Sequence, residues 1–268
     1  MPEINLYTTF YNENNQFRKQ ELLTCLKYNL QNTAITKINL LNEGDSLVHL
    51  NTNKIEEIVI SQRPYYQYFI NYINNHTSPE DIHIIANTDI YFDGGIAVLK
   101  HLNLKNTCLA LSRWDTTESR KPKLYNHNDS QDVWIFKGKI KSNLKADFPL
   151  GVPRCDNRLM YELEKVGYQV LNPSYSIKAF HLHKGQRDLV YTEDDNVYKI
   201  PPPYRYKYPH NMMGLFPTLM FNLTHKVKLG AYRYDIKKLN KWWLIKLLRK
   251  TYEMIMKKEL RLIGYNNK

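Results

Sequence analysis

Residues 84–93 read IIANTDIYFD: an apolar run passes without a break into Asn87-Thr88-Asp89, then into an extended apolar stretch, then Asp93. A carboxylate at the end of a buried strand is costly unless it is paired or bound to a metal. Hard divalent ions take such oxygens, and Mg2+ sites combine one or two carboxylates with substrate phosphates. Asp89 is therefore a candidate ligand for Mn2+ or Mg2+, with a structural hydrogen bond as the alternative. Asp93 stands before Gly94 and Gly95 and suits the cap of a helix opening there.

Further along, residues 177–183 read IKAFHLH. Alternation puts Ile177, Ala179, His181 and His183 on one face. A His-x-His pair at a strand end suits metal ligation by one of the two. Asp156 heads a helical segment, residues 157–166, and suits its cap. Arg63, Arg113 and Arg154 each suit the oxygens of a diphosphate, or a surface salt bridge. Ser130-Gln131-Asp132 precedes a strand bearing Trp134 and Phe136. Polar groups beside aromatic ones can form the wall of a binding site, or a turn into a core strand. Tyr11 or Phe10 can stack on a base or pack in the core.

The elements that must hold these residues alternate. Residues 4–10 read as a strand, 17–30 as a helix, 34–41 and 57–61 as strands, and a helix follows Pro64. Residues 82–86, IHIIA, have the composition of a buried parallel strand. A helix over 95–102 and a strand over 108–112 follow. The order predicts an α/β fold with a mostly parallel sheet covered on both faces. Ligands of such sheets bind beyond the carboxyl ends of the strands. Thr8, Thr9, Tyr11, Ser61, Arg63, Asn87, Asp89, Ser112, Arg113 and Asp115 would gather in that crevice. In the second half, residues 132–137, 168–171 and 175–183 read as strands.

Here the chain resembles the nucleotide-sugar-dependent glycosyltransferases of the GT-A fold. Their fourth strand ends in a DxD motif that holds a divalent metal and the donor diphosphate, and Asn87-Thr88-Asp89 stands at that place as NxD. Asn87 is a weaker metal ligand than Asp and suits a ribose hydroxyl or a bound water. That leaves Asp89 as the principal carboxylate. The resemblance extends to residues 148–159, FPLGVPRCDNRL, followed by Gly167-Tyr168. It implies Asp156 as the catalytic base of an inverting enzyme, with Arg154, Asn157 and Asp132 among the substrate-binding residues. It also implies that a His after the last core strand closes the metal site, with His183 the first choice and His181 the second. A nucleotide-diphosphate sugar is the implied donor. The implied acceptor is a glycan or lipid-linked glycan, as in surface-polysaccharide synthesis.

Three parts are expected: a Rossmann-type, GT-A-like catalytic domain over residues 1–183, an irregular aromatic and Pro-rich extension over 184–235, and a basic tail over 236–268. The net charge is +12, of which residues 236–268 hold +8 through ten Lys/Arg and two Glu, leaving +4 on residues 1–235. The core is thus too weakly basic to suit nucleic acid. The tail suits an anionic membrane surface instead, through an amphipathic helix over 236–263 with Trp242 and Trp243 on its apolar side. No run of about 18 apolar residues could span a bilayer, and the start of the chain lacks a secretory pattern. The cysteines Cys25, Cys108 and Cys155 are widely spaced, which suits a reducing cytosol, with the protein peripheral on the inner membrane face. Two rival classes remain. One is a cationic binding protein without chemistry, which leaves Asp89, Asp156 and the His pair unexplained. The other is a nucleotidyltransferase, against which residues 8–18 contain no Gly.

Overall fold

The computed structural model describes residues 2–44, 52–117, 120–182, 198–224, 247, 248 and 251. The first half runs β1 (Ile4–Phe10), α1 (Gln16–Gln31), β2 (Lys37–Asn42), β3 (Ile55–Val59), α2 (Tyr66–His76), β4 (Ile82–Ala86), β5 (Ile90–Phe92), a 3-10 helix (Gly94–His101) and β6 (Thr107–Leu111). There follow β7 (Arg113–Thr117), β8 (Arg120–Leu124), β9 (Val133–Lys137), α3 (Cys155–Lys165), β10 (Gln169–Leu171), β11 (Ala179–Leu182) and α4 (Leu215–Thr224).

Among the described residues there are two sheets, one ordered β10-β6-β9-β4-β1-β2-β3 and a smaller one ordered β5-β11-β7-β8. The large sheet is parallel except for β9, which runs against both β4 and β6. Every residue of β1 and β4 is buried, because helices cover both faces. On one face Leu6, Ile84 and Ile135 pack with Leu22 and Leu26 of α1 and Ile96 and Leu99 of the 3-10 helix. On the other, Tyr7, Ile85 and Trp134 pack with Phe69 and Ile73 of α2 and Leu159 and Met160 of α3. The chain thus forms the expected α/β fold, a mostly parallel sheet flanked by helices.

Residues 132–137, read as a strand, enter the mostly parallel sheet reversed as β9. Three expectations are corrected. The helix expected over 95–102 is a 3-10 helix, and its two leading glycines favour an α-helix least. Asp93 caps it, accepting from the Gly95 N–H at 3.0 Å. The strand expected over 175–183 is shorter, because Ser176 and Ile177 donate back to the Pro173 carbonyl in a turn before β11. Residues 198–214 are irregular but end in α4, a helix absent from the sequence reading. His183 and the expected basic helix over 236–263 lie outside the described residues. No described helix is long and apolar enough to cross a membrane.

Candidate active site

The turn after β4 builds the site. Ile90 N–H donates to the Asn87 carbonyl at 3.1 Å, which closes Asn87-Thr88-Asp89 tightly and sends the chain into β5. Thr9, near the end of β1, bonds Thr88 hydroxyl to hydroxyl at 2.6 Å and fixes the turn from below. Asp89 is buried, and its Oδ2 accepts from the Arg18 guanidinium at 2.6 Å. The same oxygen lies 3.1 Å from His181 Nε2. Burial alone would raise the Asp89 carboxyl, but His181 and Arg18 outweigh it and hold it well below the usual carboxylate range.

Both ring nitrogens of His181 face carboxylates. Nδ1–H donates to Asp115 Oδ1 at 3.0 Å, across the pairing of β11 with β7. Burial lowers an imidazole, yet Asp89 and Asp115 together push His181 up to about 9. Arg113 continues the chain of charges, reaching Asp115 at 3.0 Å and Asp132 at 3.3 Å while its guanidinium stacks 4.2 Å over Tyr125. Asp132 in turn accepts from the Asn87 amide at 2.9 Å. The network therefore closes on itself, from Asp89 through His181, Asp115, Arg113 and Asp132 back to Asn87, two residues from Asp89.

Asp156 stands next to this ring. The helix begins at Cys155 rather than at residue 157, and Arg154, with φ 72°, holds the capping position. Asp156 therefore lies inside the first turn and is not the cap. Its Oδ2 accepts from the Gln131 N–H at 3.2 Å and its Oδ1 from the Asn157 N–H at 2.8 Å. Burial pushes the Asp156 carboxyl up to about 7, against those two hydrogen bonds and with help from the charges of Asp132 and Asp129. Gln131 thus links Asp156 through the backbone to Asp132 and so to the Asp89 network.

Sequence candidates fall into two groups. Thr9, Asn87, Asp89, Arg113, Asp132, Asp156 and His181 are brought together. Arg154 and Asn157 adjoin Asp156 but hold each other at 3.2 Å, and the fully buried Asn157 also donates to the Asp129 carbonyl. Thr8 is buried, and its hydroxyl finds no partner among the described residues. Tyr11 is half-buried against the core beneath α1. Arg63 is exposed and acts on Glu43, past the end of β2. Sequence reasoning missed Arg18, the closest described partner of Asp89. It lies in the first turn of α1, where Asn15 caps the helix by accepting from the Arg18 N–H at 3.1 Å. Its only signal was an Arg-Lys pair, Arg18-Lys19, shortly after the first strand.

The donor set fits a divalent ion in part. Asp89 Oδ2 and His181 Nε2 are spaced as neighbouring ligands would be, at 3.1 Å, and Asp115 orients the imidazole from its far side. Among the described residues no group of three or more His, Cys, Asp or Glu forms a complete metal cage. Phosphate oxygens and water would have to supply the remaining ligands, as is usual for Mg2+-type sites.

No protein-family model matches the chain, and no curated protein matches it. Among solved structures, GT-A-fold glycosyltransferases do match. One is the mannosyltransferase PcManGT from Pyrobaculum calidifontis in complex with GDP-Man and Mn2+, 13% identical over 68% of this chain and 56% of that one, with a TM-score of 0.45. Another is S. aureus TarS 1–349 in complex with UDP-GlcNAc, 8% identical over 69% and 60%, with a TM-score of 0.49. A protein assigned as a glucose-1-phosphate thymidylyltransferase from Bacillus anthracis also matches, 10% identical over 63% and 86%, with a TM-score of 0.40. The chain spans less than two thirds of the length of the first two. At such identities these likenesses concern the fold alone.

Proposed function

We propose that the chain transfers a glycosyl group from a nucleotide-diphosphate sugar to an acceptor hydroxyl. The observation that carries this reading is the convergence on one rim of the Asp89–His181 pair, able to ligate a divalent ion, and Asp156, a carboxyl pushed up to about 7. A base works best with a pKa near the operating pH, and Asp156 has that poise.

In this reading the donor diphosphate lies against Asp89, His181 and Arg18. When bound, Mn2+ or Mg2+ neutralises charge on the departing nucleoside diphosphate. Arg18 adds a fixed cation beside it. Asp156 takes the proton of the acceptor hydroxyl as that oxygen bonds to the anomeric carbon. The bond from that carbon to the diphosphate oxygen breaks, and its electron pair leaves with the nucleoside diphosphate. Attack opposite the leaving group inverts the anomeric centre. Asp132, held by Asn87 and Arg113, faces the acceptor side next to Asp156. The acceptor is a glycan or lipid-linked glycan of a surface polysaccharide. The enzyme works in the cytoplasm, held at the inner membrane face in part by residues 236–263.

The test is calorimetric binding of GDP and UDP with Mn2+, followed by assays of GDP-mannose and UDP-GlcNAc turnover. Release of nucleoside diphosphate is expected. Failure to bind either nucleotide overturns the reading, and release of pyrophosphate from a nucleoside triphosphate and a sugar phosphate replaces it with nucleotidyl transfer.

A further inference from the structure

Helix α4 presents apolar side chains on both of its sides. Residues 211–224, NMMGLFPTLMFNLT, include no charged residue. Its inner side is well packed. Thr218 is fully buried, and Phe221 stacks on Tyr175 with ring centres 4.5 Å apart and meets Trp114 edge-on at 6.2 Å. Asn222 accepts from the Tyr175 hydroxyl at 2.6 Å. The outer side repeats apolar residues at helical spacing: Phe216 and Leu223 are each 73% exposed, with Leu219 and Met220 exposed between them. A helix that is apolar all round is ordinarily buried all round, and this one is buried on one side only.

Charge decides what the outer stripe meets. The Lys178 ammonium sits 4.9 Å over the Trp114 ring, at the foot of the helix, and is exposed. The chain that continues from α4, residues 225–268, carries thirteen Lys or Arg against three Asp or Glu in its sequence. Apolar residues fringed by cations fit the headgroup region of an anionic bilayer. A second copy of a chain with net charge +12 would instead bring like charges together.

The position of the helix gives docking a use. On β7 the side chains alternate, so Trp114 faces α4 while Arg113 and Asp115 face the site network. We infer that α4 is a lipid-docking helix, with Phe216, Leu219, Met220 and Leu223 entering the interface of an anionic bilayer. It would hold the catalytic rim one strand away from the membrane surface. The inference stands on α4 and on the cationic sequence that continues from it, and it does not need the transfer reaction.

The experiment uses the full chain and vesicles of phosphatidylglycerol mixed with phosphatidylcholine. All three native cysteines are buried, so Leu219→Cys gives one accessible thiol for an environment-sensitive fluorophore. A blue shift on adding anionic vesicles is expected. The double variant Phe216→Ser, Leu223→Ser should bind the vesicles at least about tenfold more weakly, because two large apolar side chains no longer leave water. Its melting temperature without vesicles should match the native one. Native protein that stays in the supernatant overturns the inference, as does equal sedimentation of native and variant chains. A variant that melts well below the native chain shows that the stripe is covered by the chain's own residues. A dimer that the variant converts to monomer, by light scattering, shows that it joins two copies. Either result also overturns the inference. GDP or UDP binding is read on the same samples, so failure of docking and failure of the transfer reading are told apart.

Discussion

Asp115 and His181 are register partners across the parallel pairing of β7 and β11, and the imidazole Nδ1–H donates to Asp115 Oδ1 at 3.0 Å. Because the partner is fixed by strand register, the ring cannot turn without breaking that bond, and Nε2 stays aimed at Asp89. Carboxylates that orient a ligating imidazole typically contribute about 10–100-fold to metal affinity. Asp115→Asn offers Nδ1 an amide in place of a carboxylate and frees the ring to present the wrong tautomer. Mn2+ bound in the presence of UDP or GDP, followed by electron paramagnetic resonance, should weaken by that factor. Native affinity in the variant would show that Asp115 does not position the ligand.

Asp89→Asn should remove metal-dependent nucleotide binding and with it sugar transfer, and excess EDTA should do the same to the native chain. Stability carries a separate signature. His181 is pushed up to about 9 mainly because Asp89 outweighs the effect of its burial. Its contribution is therefore fully present below the ordinary imidazole value of about 6.5 and is lost as pH rises through about 9. The native melting temperature should fall over that window. The fall should be shallower in Asp89→Asn, measured by differential scanning calorimetry from pH 6 to 10.

For Asp156 the sign is reversed in origin, because burial favours the protonated carboxyl. The native transfer rate should rise with pH through about 7 as the base becomes ionised. Asp156→Asn should cost on the order of 10²–10⁴-fold in rate, with nucleotide binding kept. The raised value also means that stability is present below the ordinary carboxyl value of 3.8 and is lost as pH rises through about 7. The variant should thus melt above the native chain at pH 8, and its advantage should shrink toward pH 4. Native activity in the variant would leave Asp156 a structural group only.

Gly138, just after β9, has φ +64° and would place a Cβ 2.7 Å from the Pro79 carbonyl oxygen. The contact is with backbone, which cannot swing away. Gly138→Ala should destabilise the fold by about 1–3 kcal/mol, read by urea unfolding.

The sequence made the parallel half of the fold legible because its strands are short β-branched runs, IHIIA of β4 above all, separated by helical periods. Asp89 was legible for the same reason, as a carboxylate at the end of such a run. The β7–β8 hairpin was not. RWDTT and RKPKL carry too few apolar residues to read as strands, since β7 buries only alternate residues. Asp115 was legible as a crevice residue, but its bond to His181 depends on the parallel pairing of β7 with β11, which has no local signal. The reversal of β9 has no local signal, because VWIFK would suit either direction in a buried sheet. Arg18 escaped notice because it sits on a helix, and only the packing of α1 against β5 brings that turn to Asp89.

Because β9 runs against its neighbours, its beginning meets the ends of β4 and β6. Ala86 pairs with Val133, and the Asn87 N–H extends the ladder by donating to the Asp132 carbonyl at 3.1 Å. Asp132 is therefore placed by counting along a ladder. Sliding β9 by one residue would turn its carboxylate to the opposite face and drive Trp134 toward the α1 side. The segment before it is tied down differently, by the Ser112 hydroxyl donating to the carbonyls of His127 and Ser130 at 3.3 and 3.0 Å. Residues gained or lost within 125–129 would leave the frame of β9 intact. Tyr125 beneath the Arg113 guanidinium and the Asp129 carbonyl that accepts from Asn157 both hang on that segment, so a change in its length reaches the site through two side chains while the ladder keeps its count.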